Sequence, residues 1–418
     1  MLIRPLSFPL RWLCGLFGTA LAFGAESPPP WPGIVGEIHG RLETLSSAPA
    51  LQWSLTAMPG ESGLPKLALR AEGGGTLVEA EIDLLPGAPD ALRWRLKNFE
   101  LDLARWSGAL AAQWPALAGV ILGGRVLVSG EGEWREGQLS GRVKLEWRNG
   151  TVHDAAQGWS LDGIAFQGAF IVDSAGPCLE SEGPFGLTVG NVTSTRFGAR
   201  NVVVRASLNE RWQVAVTAAH VEVAGGEVAI DPCTLSLWPP NVDVNLRISG
   251  VGLQDVVALV PAGLADARGR IDGAVRVSWS QAGGFQIGAG GLALNAGEPA
   301  IVRLAESPGF LTKRVPERFA LLPDWMGPLA RWFAPENPAY AELREIELGH
   351  TDLQVKALIV RLTPAGDDQG RSALVQMIAR PTKSDSTVAR VTFEVAVAGP
   401  LDAVLHFGLN QDVSVQMR

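Results

Sequence analysis

Side chains that do chemistry are sparse in this 418-residue chain, and their spacing does not assemble them. The five histidines are His39, His153, His220, His350 and His406, and no two of them lie at helical or hairpin metal-ligand spacing. HExxH and CxxC are missing from the sequence. The loop GESG, Gly60 to Gly63, is one residue short of a nucleophile elbow. SGVG at Ser249 to Gly252 and GAGG at Gly288 to Gly291 lack the third glycine and the strand-loop-helix setting of a dinucleotide site. A P-loop lysine is missing too. Asn191-Val192-Thr193 matches a glycosylation acceptor, a pattern that often arises by chance. The 43 acidic residues would permit a carboxylate pair, yet a sugar cleft also wants aromatic platforms with polar flanks, and the chain has 1 tyrosine. The expectation is a protein that is not an enzyme and carries no cofactor and no metal.

The elements that could position a site are strands. VDVNLRIS puts Val242, Val244, Leu246 and Ile248 on one side and Asp243, Asn245, Arg247 and Ser249 on the other. RVKLEW sets Val143, Leu145 and Trp147 against Arg142, Lys144 and Glu146, and VTFEVAV aligns Val391, Phe393, Val395 and Val397. Such period-2 runs recur every ten or so residues between glycine and proline turns, the signature of an antiparallel meander with one apolar face. Helical patterns are few: Asp102 to Trp114, Leu253 to Ala267 broken at Pro261, and the proline-divided Asp324 to Ile346. The first two each precede a glycine-rich strand, a tryptophan, a glycine turn and another strand, which reads as a repeated module. In GRVLVSGEGEWREGQLSGRVKLEW, Gly124 to Trp147, the glycines read as turn and curvature positions.

Composition narrows the partners. Net charge is −8 with the signs interleaved, so the clustered basic face that nucleic acid requires is missing. The chain is 47% hydrophobic, oily for a protein in water, yet no internal run approaches the roughly 20 apolar residues of a spanning helix. A sheet with one oily face can close into a barrel, pack on a second sheet, or curl into a trough that holds lipid chains. The start, with Arg4 and Arg11 ahead of an apolar Trp12 to Phe23 and small residues at Ala22 and Gly24, reads as an export signal over residues 1–24, with an uncleaved inner-membrane anchor as the alternative. Outside the cytoplasm Cys178 and Cys233 permit one disulfide, against two buried thiols as the plainer reading.

The chain resembles the YdbH branch of the AsmA-like envelope proteins. The likeness rests on VDVNLRISGVGLQDVVALVP, GLADARGRIDGAVRVSW, the GGLAL strand, RLTPAGDDQG and VTFEVAVAGPLDAVLHFGLNQDV, with WSGALAAQWPALAGVILGGRVLVSGEGEWREGQLSGRVKL upstream, and covers most of residues 90–418. The resemblance implies an elongated, curled antiparallel sheet (a β-taco) with an apolar lumen. It also implies phospholipid movement between inner and outer membranes in the periplasm of a diderm bacterium, often with small envelope partner proteins. A "dicarboxylate transport" label attached to this region would need converging Arg or Lys in a pocket, and none stands out. The chain is about half the length expected of full family members, so a partner is expected to complete the span; some twenty strands at about 4.8 Å stack to about 100 Å.

The expected organisation is an N-terminal β segment at 25–98, a helix-plus-meander module at 99–250 and a second module at 251–418. Groove-lining residues are expected to be Val126, Val128, Val143, Leu145 and Trp147 in the first module. In the second they are Val242, Val244, Leu246 and Val275, with Val391, Phe393, Val395 and Leu405 near the end. Alternatives are an envelope assembly scaffold acting by protein contacts and a secreted carbohydrate-binding or carbohydrate-active protein.

Overall fold

Period-2 sequence dictates strands, and strands are what form. The computed structural model describes residues 36–42, 49–60, 64–85, 91–174, 179–195, 198–258, 264–281, 283–319, 335–368 and 370–397. They hold 22 β-strands, antiparallel throughout, and three short α-helices, the mostly-β class expected. The chain forms two units, residues 1–215 and 216–418.

The first unit is a meander. β1 (Gly36–Leu42) pairs with β2 (Leu51–Pro59), β2 with β3 (Pro65–Gly73), β3 with β4 (Thr76–Leu84), and β4 with β5 (Ala91–Asp102). Helix α1 (Leu103–Gln113) then interrupts. The Asp102 carboxylate caps it by accepting from the Ala104 N–H at 3.1 Å, and Pro115 stops it two residues past its end. The chain returns as β6 (Val120–Arg135) beside β5, followed by β7 (Gln138–Asp154) and β8 (Trp159–Asp173). The two-residue β9 (Glu180–Ser181) and the longer β10 (Phe185–Ser194) share the far edge of β8, and β11 (Gly198–Leu208) pairs with β10.

The β6–β7 hairpin has glycines at its turn and at a bend, as expected. Its turn is Glu136-Gly137, both with positive φ as a two-residue hairpin requires, and Gly124 sits at a bulge where the strand bends. Gly130, Gly132 and Gly141, however, lie inside the strands. A Cβ on Gly132 would come within 2.7 Å of Trp94 Cζ2, and one on Gly141 within 2.6 Å of the same atom. The indole of β5 therefore lies over two glycines on the next two strands, a close approach that any side chain would block.

The boundary falls within β12 (Gln213–Val223), and the second unit continues with β13 (Gly226–Ile230), β14 (Cys233–Leu237) and β15 (Pro240–Gly252). Helix α2 (Leu253–Ala258), β16 (Leu264–Arg268), β17 (Arg270–Ser280), β18 (Gly284–Leu294) and β19 (Ala300–Leu304) come next. Helix α3 (Pro338–Glu347), β20 (Leu353–Leu362), β21 (Ala373–Pro381) and β22 (Val391–Val397) complete it. The main ladder runs β12–β13–β15–β17–β18–β20–β21–β22, while β16 and β19 form a short side pair that joins β20. Both α1 and α2 are excursions between strands that pair with each other, β5 with β6 and β15 with β17.

The helical pattern expected over Leu253 to Ala267 yields only its first part. Residues 264–268 form β16 instead, because Ala267 pairs with Val302 and is buried in the core there; tertiary pairing overrides local propensity. Of the third expected helix, the described residues form α3 from Pro338, capped by Asn337, whose side chain accepts from the Ala339 N–H at 3.1 Å. Residues 320–334 lie outside the described residues.

Candidate functional site

Directly paired residues of an antiparallel sheet share a face, so register shows what each face is made of. In the first unit one such row is Ile38–Leu55–Leu69–Ala80–Leu96–Gly130–Val143–Phe170, apolar or glycine across eight strands. A second row on the same face is Trp53–Ala71–Val78–Phe99–Val128–Leu145–Gly168. A third runs Leu101–Val126–Trp147–Phe166–Leu187–Val204. All five residues expected in the first module, Val126, Val128, Val143, Leu145 and Trp147, are thus brought together on one face. They are half-buried, whereas Val78, Ala80, Ile82, Trp94 and Leu96 on the same face are buried. The unit's hydrophobic core is this face itself, with Val128 and Val143 packed at its margin. Phe166, Phe170 and Phe185 extend it as an aromatic cluster with centroids 5.6–6.3 Å apart. The one polar atom of Trp147, its indole N–H, is satisfied by the Gly123 carbonyl at 3.1 Å.

The alternate residues on the other side carry charge. Arg70 meets Glu79 at 2.9 Å, Arg93 meets Glu133 at 3.4 Å, and Arg125 meets Glu100 at 3.1 Å. Glu81 is held by Lys66 at 2.8 Å and by Lys97; their hydrogen bonds keep its carboxyl below the usual carboxylate range. Exposed pairs of this kind add little stability, but they mark the side that faces water.

The second unit repeats the arrangement. Its rows read Val221–Val228–Ile248–Gly273–Leu292–Val360–Val375–Val395 and Ala219–Ile230–Leu246–Val275–Gly290–Leu362–Ala373. Val242, Val244, Leu246 and Val275 share this face, and so do Val391, Phe393 and Val395. The two groups sit in different surroundings. Val391 is buried and Phe393 packed in a core that also takes in Val251, Ile271, Val302, Ile346 and Met377. An apolar recess of about 170 Å³ remains there, lined by Leu264, Leu304, Phe310, Leu358, Val375, Met377, Phe393 and Val395. Val242, Leu246 and Val275 lie outside that core and are half-buried. The larger depression of about 730 Å³ beside Ser307, Thr312 and Tyr340 is polar in part and lies off these rows.

Among the described residues no three His, Cys, Asp or Glu side chains converge as a metal centre would need. No helix there is long and apolar enough to cross a membrane. Cys233 is half-buried in β14, where burial pushes its thiol up. Cys178, Leu405 and the expected signal at 1–24 lie outside the described residues.

Sequence reading missed most of the first face. Leu55, Leu69, Ala80 and Leu96 obey the same alternation, but only the ladder joins them to Val143. It also missed the carboxylates of α3. Glu347, 2% exposed, accepts from the N–H groups of Gly309, Leu311 and Thr312 and from the Thr312 hydroxyl. Glu342 does the same for Thr387 and Val388. These groups clasp loops and touch no apolar row; a lone Glu in a helix carries no signal of such a role.

Among curated proteins and solved structures nothing matches. The profile of the YdbH-like family, described as intermembrane phospholipid transport protein YdbH, matches residues 24–315. That span begins well ahead of the motifs that carry the resemblance and ends before the β20–β22 strands. With most of its length matched, the chain belongs to the YdbH-like family of intermembrane phospholipid transport proteins.

Proposed function

We propose that the apolar face of each unit carries phospholipid acyl chains as lipid passes between the inner and outer membranes. The observation that carries this reading is register. Residues from eight successive strands form unbroken apolar rows in each unit, while the opposite side of the first unit is laced with ion pairs. Half-burial of Val126, Val128, Val143, Leu145 and Trp147 leaves them able to meet a guest. Each CH₂ moved from water onto such a face is worth about 0.8 kcal/mol, so a surface of this kind lowers the cost of carrying an acyl chain through water without any bond chemistry. The work belongs in the cell envelope, and small partner proteins would lengthen the path.

Alternation is testable residue by residue. With a photo-crosslinking amino acid placed singly at 143, 144, 145 and 146 in the full chain, phospholipid adducts are expected at 143 and 145 and not at 144 and 146. Equal labelling at all four, or labelling at the even positions alone, would remove the basis for the reading.

A further inference from the structure

Large apolar side chains that stay in water need a reason, and they are not evenly spread. Among the described residues nine are exposed, and four of these gather at one end of the β14–β15–β17–β18 ladder: Leu237 at 39%, Trp238 at 56%, Trp279 at 39% and Phe285 at 50%. Register explains the gathering. Leu237 pairs with Pro240, and Val242 pairs with Trp279, which in turn pairs with Phe285. The β14–β15 turn and the β17–β18 turn therefore lie side by side, on strands about 4.8 Å apart. Leu237, Trp279 and Phe285 fall on the same face as Val244, Leu246 and Val275, so the exposed residues form the strand-end edge of that apolar face.

The two turns themselves are free of charge. Residues 232–242 and 277–297 contain no Asp, Glu, Lys, Arg or His. The nearest ion pair, Arg276 with Asp243 at 2.7 Å, is on the opposite face and neutralises itself. The β6–β7 turn of the first unit is built differently, through Arg135, Glu136 and Gly137. An uncharged turn pair carrying two indoles and a phenyl ring has the chemistry of a membrane–water interface, where amphipathic rings settle at headgroup depth. A sugar platform would add carboxylates that read hydroxyls; here the neighbours are Ser, Pro, Gly and the amides Asn241, Gln281 and Gln286, with no carboxylate among residues 232–242 and 277–297.

We propose that this end of the second unit, with Trp238, Trp279 and Phe285 at its tip, docks into the interface of a phospholipid bilayer and sets the strand-end edge of the apolar face against it. The inference rests on the proposed lipid function and adds the place of contact. Docking is hydrophobic, so it needs no anionic lipid and tolerates salt.

The test uses the full chain and vesicles of pure phosphatidylcholine in a flotation assay, at low and high salt. The wild type is expected to float in both. The double variant Trp238→Ser/Phe285→Ser is expected to lose binding by about ten-fold, and Trp238→Phe to keep it. Both variants change exposed side chains and are expected to keep the wild-type melting curve and co-purified phospholipid. A double variant that floats as well as the wild type overturns the inference. So does one whose loss of flotation comes with a shift from dimer to monomer, which would assign the tip to a second copy of the chain. Absence of phospholipid from the wild type would instead count against the proposed function.

Discussion

Val143→Glu is expected to cut the phospholipid that co-purifies with the chain by about ten-fold while leaving it folded, because a carboxylate on an apolar row must be desolvated whenever an acyl chain lies over it. Val143 lies in the row between Gly130 and Phe170, with Leu145 and Gly141 on the same side of its own strand. In the unliganded chain the half-buried site lets the longer side chain turn its charge toward water, so the cost falls on the complex. Lys144→Gln, one residue along on the opposite face, is expected to leave the lipid load unchanged. Val143→Thr keeps the shape and adds a hydroxyl, and is expected to give an intermediate loss. Extraction of each purified variant followed by lipid mass spectrometry measures all three; equal loads would show that the row does not touch lipid.

The largest expected effect on stability is at Glu347. Its buried carboxylate accepts from Gly309 N–H at 3.1 Å, Leu311 N–H at 2.8 Å, Thr312 N–H at 3.1 Å and Thr312 Oγ1 at 2.8 Å. In this way α3 ties down the segment whose Phe310 stacks on Phe393 with centroids 6.1 Å apart, sealing that part of the apolar face. Glu347→Leu leaves several donors unpartnered and is expected to cost about 3 kcal/mol or more in urea unfolding, with Glu347→Gln losing less. The dependence on pH follows from the carboxyl itself. Burial pushes it up, but the hydrogen bonds outweigh burial and hold it below its usual range. A lowered folded pKa means that the stabilisation is complete above the unfolded value of about 4.3 and is lost as pH falls through the folded one. The gap between wild type and Glu347→Gln is thus expected to shrink on acidification below about pH 4.3. A gap that stays constant would mean that the carboxylate charge is not what holds the loop.

How much of this was legible depends on whether a feature is local. Alternation in RVKLEW or VDVNLRIS is a property of six or eight consecutive residues, so the strands and the sides of Val143, Leu145, Trp147, Val242, Val244 and Leu246 could be read directly. Which strand lies beside which could not, and that is what turns separate apolar residues into rows: nothing in the sequence near Val143 names Phe170 or Gly130 as its neighbours. The same gap explains the glycines inside the strands. Gly132 and Gly141 are small because Trp94, from a different strand, lies across them, whereas Gly137 is small because of its own turn. It also explains residues 264–268, helical in pattern but held extended by β19. The leader, Cys178 and Leu405 remain expectations from sequence.

That apolar rows exist to hold acyl chains is tested most directly by extracting the purified full chain, taken from phospholipid-containing cells under mild conditions, and identifying what leaves it by mass spectrometry. Phospholipid in an amount comparable to the protein is the expected result. A folded chain that releases none, and takes none up from vesicles, would contradict it and leave the rows as the core of a protein with other work to do.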